Sequence, residues 1–176
     1  SAADDAAGLA ISSRMTAQIR GLDQAVRNAN DGINMVNTAE GAMIEVTAML
    51  QRMREVTVQS ANGTTAADDR TYLNKEYQAL ATEIERVAQN TQWNGRNILT
   101  GDAAATGSSA VAFHVGANGG QTISVTIGDI SSTGNSTFAA LQSSGASGSI
   151  ATTTASSAQT VATSTLTAID AAIKDI

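Results

Sequence analysis

The chain carries a single histidine, His114, no cysteine, and two adjacent acid pairs, Asp4-Asp5 and Asp68-Asp69, so the raw material for acid/base or metal chemistry is thin. A catalytic or metal-binding imidazole needs an orienting partner or further ligands close by. His114 has no second histidine, thiol or acid cluster beside it and falls on the polar phase of an alternating segment, so it reads as an exposed strand histidine. Asp68 and Asp69 stand where a helical pattern begins, and there negative charge complements the helix dipole. The glycine-rich run Gly116-Ala117-Asn118-Gly119-Gly120 joins two alternating segments and does not open a helix, so it lacks the amide-lined helix start that cradles phosphate. No GxGxxG, P-loop, GxSxG or HExxH pattern occurs. These residues assign no catalytic site, no cofactor and no metal, and the chain reads as non-enzymatic.

What remains is a polar cluster, Gln51, Arg52, Arg54, Glu55 and Gln59, which faces Arg70 and Glu76 across an expected chain reversal. Two readings stand open. The cluster is a solvated helix face with local ion pairs, or it is a docking surface for a protein partner.

The elements that position this cluster follow from hydrophobic period. From Leu9 to Ser60 the apolar residues Ile11, Met15, Ile19, Leu22, Val26, Ala29, Ile33, Val36, Ala39, Met43, Val46, Leu50 and Met53 recur at steps of three or four. A mean step of about 3.5 keeps the stripe facing a partner helix. At about 1.5 Å per residue the helix spans near 80 Å. A compact globule of this length has a radius of gyration of only about 16 Å, so a rod is expected. Gly21, Gly32 and Gly41 mark close backbone approach. All five methionines, Met15, Met35, Met43, Met49 and Met53, lie in this helix, as core filling or as an adaptable seam.

Asp4 and Asp5 read as helix-start residues. Asn62-Gly63 ends the long helix, and Thr65 with Asp68 resembles a capping box for the next. Leu73, Tyr77, Leu80, Ile84, Val87 and Thr91 then give an antiparallel return helix, which ends near Trp93 at an Asn94-Gly95 turn. From Ala110 the period changes to 2: Val111, Phe113 and Val115, then Ile123, Val125 and Ile127, predict a β-hairpin with one buried face. Segment 131–157 is rich in Ser, Thr, Gly and Ala and predicts loop, with a short helix at Phe138 to Leu141. Ala162, Leu166, Ile169, Ile173 and Ile176 restore the first rhythm. The expected fold is mainly α: an elongated bundle of three helices, one very long, with a small β-hairpin subdomain. Its parts are 1–95 (long helix, reversal and return), 96–130 (hairpin region), 131–157 (short variable segment) and 158–176 (closing helix).

Composition sets limits. Of 176 residues, 42% are apolar but only 3% aromatic, which suits thin helix seams built from Ala, Ile, Leu, Val and Met. A net charge of -6 without a basic face disfavours nucleic acid. No apolar run approaches the ~20 residues of a membrane span, and no secretory signal pattern opens the chain. The start at Ser1 without Met, and a helical rhythm still running at Ile176, lead us to expect a fragment trimmed at both ends.

Several stretches closely resemble the amino-terminal region of bacterial flagellins: Ser1 to Ser12, Gln18-Ile19-Arg20-Gly21-Leu22, Ala29-Asn30-Asp31-Gly32-Ile33, Thr38-Ala39-Glu40-Gly41-Ala42, Gln59-Ser60-Ala61-Asn62-Gly63-Thr64, Asn90 to Gly95, and Val115-Gly116-Ala117-Asn118 with Gly120-Gln121-Thr122-Ile123. The likeness resumes at Ile169-Asp170-Ala171-Ala172-Ile173. It implies a flagellin inner domain without the terminal helices of the filament core, exported unfolded through the flagellar channel and extracellular in the filament. It also implies a short variable region at 131–157, and as partners other flagellin subunits, an export chaperone and the flagellin-sensing Toll-like receptor of vertebrates. The positions that match the family's contact flank are Gln51, Arg52, Val56, Gln59, Leu73 and Glu76, with Val56 standing where receptor-recognised members commonly have Leu. The expected function is that of a structural subunit that self-assembles in motility, the trimmed chain itself being monomeric. The alternative is a flagellin-like cell-surface protein that binds a polysaccharide or a host receptor through 131–157.

Overall fold

The computed structural model describes residues 6–103, 109–142, 150 and 155–176. The expected helix-start role of Asp4 and Asp5, and most of the variable stretch beyond Gln142, lie outside the described residues. In chain order the elements are α1 (Ala6–Ala61), α2 (Ala67–Asn90), β1 (Gln92–Trp93), β2 (Arg96–Asn97), β3 (Ala110–His114), β4 (Thr122–Thr126), α3 (Ser136–Gln142) and α4 (Ala155–Asp175). They form two compact units, one of residues 1–37 with 110–126, the other of 38–109 with 127–176. The expected hairpin region 96–130 is thus shared: 110–126 belongs to the first unit, and its flanks belong to the second.

In the first unit β3 and β4 pair antiparallel, with Val111 opposite Val125 and Phe113 opposite Ile123, so these apolar side chains share one face. The seven-residue stretch from Val115 to Gln121 is closed by the Val115 amide donating to the Gln121 carbonyl at 2.9 Å. Gln121 also folds its side chain back, and its Oε1 accepts the Asn118 amide at 3.0 Å. That fold-back occupies the space a side chain on Gly116 would need.

The hairpin lies along a ridge of small residues on α1. A Cβ on Gly21 would come within 3.3 Å of the Ala117 Cα, and one on Gly32 within 3.2 Å of the Phe113 ring. Between them the Asn28 side-chain amide donates to the His114 carbonyl at 2.9 Å. Gly21 and Gly32 therefore mark close approach as expected, whereas a Cβ on Gly41 would meet nothing within 4 Å.

The second unit is a helical bundle. Arg52 of α1 meets Glu76 of α2, while Ser60 is bonded by Arg70, so numbers rise on one helix as they fall on the other and α2 returns antiparallel. Contacts from Arg54 to Asp170 and from Ser60 to Ile150 give α4 the same sense against α1. Val46, Leu50, Met53 and Val56 of α1, Tyr77, Ala81, Ile84 and Ala88 of α2, and Ala162, Ile169 and Ala172 of α4 are buried. Each large aliphatic among them contributes about 1.5–3 kcal/mol by leaving water. The short α3 buries Phe138 and Leu141 and packs on α4 and α2. At the end of α2, β1 and β2 make a two-residue hairpin with Asn94 at φ 50° and Gly95 at φ 75°, the left-handed pair that such a turn requires.

The capping box is not formed. α2 begins after Ala66, with no side-chain cap, and the Thr65 hydroxyl donates instead to the Gln59 carbonyl at 3.0 Å, closing the end of α1. Asp68 and Asp69 do lie in the first turn of α2.

Candidate interaction surfaces

The polar flank of the second unit centres on Arg52. Its Nε donates to Glu76 at 2.7 Å and its Nη1 to Glu55 at 2.9 Å, so one guanidinium ties α1 to α2. Hydrogen bonds from Arg52 to Glu55 and to Glu76 push the guanidinium pKa further up, and it stays charged throughout. Gln51 and Gln59 are exposed on the same helix, and Leu73 and Glu76 are half-buried on α2.

Val56 differs from the rest. It is 0% exposed, because its phase on α1 turns it into the bundle, so it supports the flank from beneath and cannot itself touch a partner. Arg70 also leaves the expected cluster: at 3% exposure it donates Nε to the Ser60 carbonyl at 3.1 Å and a terminal nitrogen to the Asn62 carbonyl at 3.4 Å. The last carbonyls of a helix lack intrahelical donors, and Arg70 supplies one from the next helix. Arg54 pairs with Asp170 of α4 at 3.0 Å. Gln51 separates two shallow hollows, of ≈450 Å³ beside Ile44 and ≈550 Å³ beside Val58, and both of these apolar side chains are exposed.

In the first unit the outstanding feature is apolar. Ile11, Met15, Ile19, Leu22, Val26 and Ile33 are between 50% and 61% exposed. At 100° per residue they fall within about 80° of one another, a single stripe. The ridge that meets the hairpin, Gly21, Asn28 and Gly32, lies about 120° away from the middle of that stripe. The later elements therefore do not cover the seam along its length: the seam is buried at Ala39, Val46, Leu50 and Met53 in the second unit, but from Ile11 to Ile33 it stands uncovered. Where the stripe meets the hairpin, Ala29, Ile33, Val36, Phe113, Ile123 and Val125 line a groove of ≈230 Å³.

His114 is exposed, and its backbone is what is used, as acceptor for Asn28. Among the described residues no group of three His, Cys, Asp or Glu could hold a metal ion, and no helix is long and apolar enough to cross a membrane. Sequence reasoning missed Glu85. Burial acts to raise its pKa, but hydrogen bonds from the Ser132 amide (2.8 Å), Gln89 (2.6 Å) and Gln142 (3.2 Å) outweigh this and hold the carboxyl below the usual range. Glu85 thereby fastens both ends of the stretch around α3 to α2.

Long antiparallel helices with an uncovered coiled-coil stripe and a charge-paired flank define a helical protein whose prominent surfaces are suited to other helices. The family described as bacterial flagellin N-terminal helical region matches residues 1–104, and the chain belongs to the bacterial flagellin family. Flagellin A of Vibrio cholerae serotype O1 is 52% identical over 123 residues, covering 70% of this chain and 31% of that protein. Flagellin of Halalkalibacterium halodurans is 52% identical over 122 residues, covering 69% and 43%. The chain thus spans less than half the length of these relatives. The crystal structure of Bacillus cereus flagellin aligns with 26% identity and a TM-score of 0.64 over 84% of this chain and 75% of that one.

Proposed function

We propose that the chain is the bundle-forming part of a structural subunit of the flagellar filament and acts by self-assembly, without catalysis, outside the cell. The observation that carries this reading is the stripe from Ile11 to Ile33. Six large apolar side chains in one line along a helix form a patch that a protein working alone rarely leaves in water. Their spacing fits the knobs of a helix-to-helix seam, so helical segments of the assembled filament cover them.

The Arg52 flank serves the same assembly. Gln51, Arg52, Gln59, Leu73 and Glu76 present a neutralised polar surface to neighbouring subunits, and the same residues are the ones a Toll-like receptor would meet. An export chaperone is a further partner by family membership. The test uses the full-length protein with Leu22→Glu and Val26→Glu together. Pelleting and electron microscopy should show loss of filaments, while circular dichroism of the present chain with the same changes keeps its helix content. Normal filaments from the double variant would overturn the assignment of the stripe.

A further inference from the structure

Three Asn-Gly pairs lie in the described turns, Asn62-Gly63, Asn94-Gly95 and Asn118-Gly119, and the structure restrains them unequally. In such a pair the deprotonated glycine amide nitrogen can attack the preceding Asn Cγ. The new N–Cγ bond closes a five-membered imide, the Cγ–amide bond breaks, and the nitrogen leaves as ammonia after taking up a proton. Water then opens the imide at either carbonyl and gives aspartate or, through the former side chain, isoaspartate. The reaction needs a free glycine N–H and freedom to turn the Asn side chain and backbone towards it.

Asn62 lacks that freedom. Its backbone is tied on both sides, the amide donating to the Gln59 carbonyl at 3.2 Å and the carbonyl accepting the Thr65 amide at 3.1 Å, and the longer contact of its Oδ1 with the Thr64 amide at 3.4 Å adds to these. Asn94 is held at φ 50° in a two-residue turn, with Gln92 opposite Asn97 and the Ile98 amide bonded to the Thr91 carbonyl at 3.1 Å, so rotation there opens the hairpin. Asn118 sits in the longer Val115–Gln121 loop. All three pairs are exposed and a Cβ on any of their glycines would meet nothing within 4 Å, so the difference lies in how the asparagine is held: among the described residues the Asn118 side chain and the Gly119 N–H have no bonding partner. Among the described residues the one tie of Asn118 is its backbone amide to the Gln121 side chain.

We propose that Asn118 is a self-modification site, the first of the three Asn-Gly pairs to convert to aspartate and isoaspartate in the folded protein. The product carries a new negative charge, and the isoaspartate form adds a backbone methylene beside Ala117, the residue that approaches Gly21 of α1 most closely in the loop. Conversion therefore loosens the loop end of the hairpin from α1 and dates the protein chemically.

The test incubates the intact folded chain at neutral and at mildly alkaline pH, then maps the three Asn-Gly peptides by mass, with isoaspartyl-specific methyl transfer as a second readout. The Asn118 peptide should convert first, and faster at the higher pH. Gly119→Ala, for which the structure leaves room, should slow that conversion severalfold and leave the other two pairs unchanged. Earlier conversion at Asn62 or Asn94, or an Asn118 rate unaffected by Gly119→Ala, would overturn the proposal.

Discussion

Replacing Arg70 by alanine tests the account of how α1 is stopped and α2 attached. The guanidinium is buried, and its Nε holds the Ser60 carbonyl at 3.1 Å, where Ser60 itself is 1% exposed. A hydrogen bond from a charged donor contributes about 1.5–3 kcal/mol, and a buried acceptor left without a donor costs about 1–3 kcal/mol. The second contact, to Asn62 at 3.4 Å, is at the limit of bonding and adds little. We predict a loss of about 3 kcal/mol for Arg70→Ala. For a protein of this size each kcal/mol moves the melting temperature by about 2–4 °C, so the midpoint should fall by about 6–12 °C. Arg70→Lys keeps a charge but not the fork that reaches two carbonyls, and should lie between the two. Thermal unfolding followed by far-ultraviolet circular dichroism is the assay. A midpoint for Arg70→Ala within about 2 °C of the parent would show that Arg70 does not stabilise the reversal, and the reasoning would fail.

Other perturbations separate the roles of the remaining residues. Gly41→Ala should raise stability by about 0.5–1 kcal/mol in the same melting assay, because the helix gains propensity and the added methyl meets nothing. Gly32→Leu should instead cost about 1–3 kcal/mol and speed amide exchange in β3 and β4, since its Cβ would press on the Phe113 ring at 3.2 Å. Glu85 is held below its usual range, so its contribution is present above the unfolded carboxyl pKa and is lost as pH falls through the folded one. The melting-temperature gap between the parent and Glu85→Gln should therefore be widest at neutral pH, begin to narrow near the unfolded carboxyl value of about 4.3, and close as pH falls through the lower folded one. Arg52→Ala and Glu76→Ala should leave melting of the isolated chain nearly unchanged, because the pair is exposed, yet reduce filament yield from the full-length protein. A large drop in their melting temperatures would make them supports of the fold rather than contact residues.

How much of this was legible beforehand varies along α1. Period located α1, its antiparallel return and the β3–β4 pairing, because each has an apolar rhythm matched to its own geometry; α3 has no such rhythm, and only Phe138 and Leu141 in a loop-like segment point to it. The same rhythm misled in the first unit. Counting large apolar residues selects Ile11, Met15, Ile19, Leu22 and Val26 as the covered seam, yet the hairpin rests on Gly21, Asn28 and Gly32. Close approach of two backbones favours the smallest side chains, so the covered ridge has the weaker hydrophobic signal. One helix carries two usable faces, and periodicity reports only the greasier one.

The candidate site shows a similar division. Arg52 and Glu76 meet because both flank the reversal, which their positions in the sequence predict. Val56 and Arg70 were misplaced because three or four residues on a helix turn a neighbour from surface to core, and because capping of α1 by a residue on α2 is a long-range contact without a local signature. Glu85 gives no signal either, since its partners Ser132 and Gln142 flank a short helix in a loop-like segment and nothing local ties that segment to α2.

The central claim is that the uncovered stripe and the Arg52 flank are subunit contacts of a filament. Electron microscopy of the full-length protein after a polymerisation trial tests it most directly. Long filaments are expected from the parent and none from the Leu22→Glu, Val26→Glu double variant. A parent protein that stays dispersed under polymerising conditions, or a double variant that assembles as well as the parent, would contradict it.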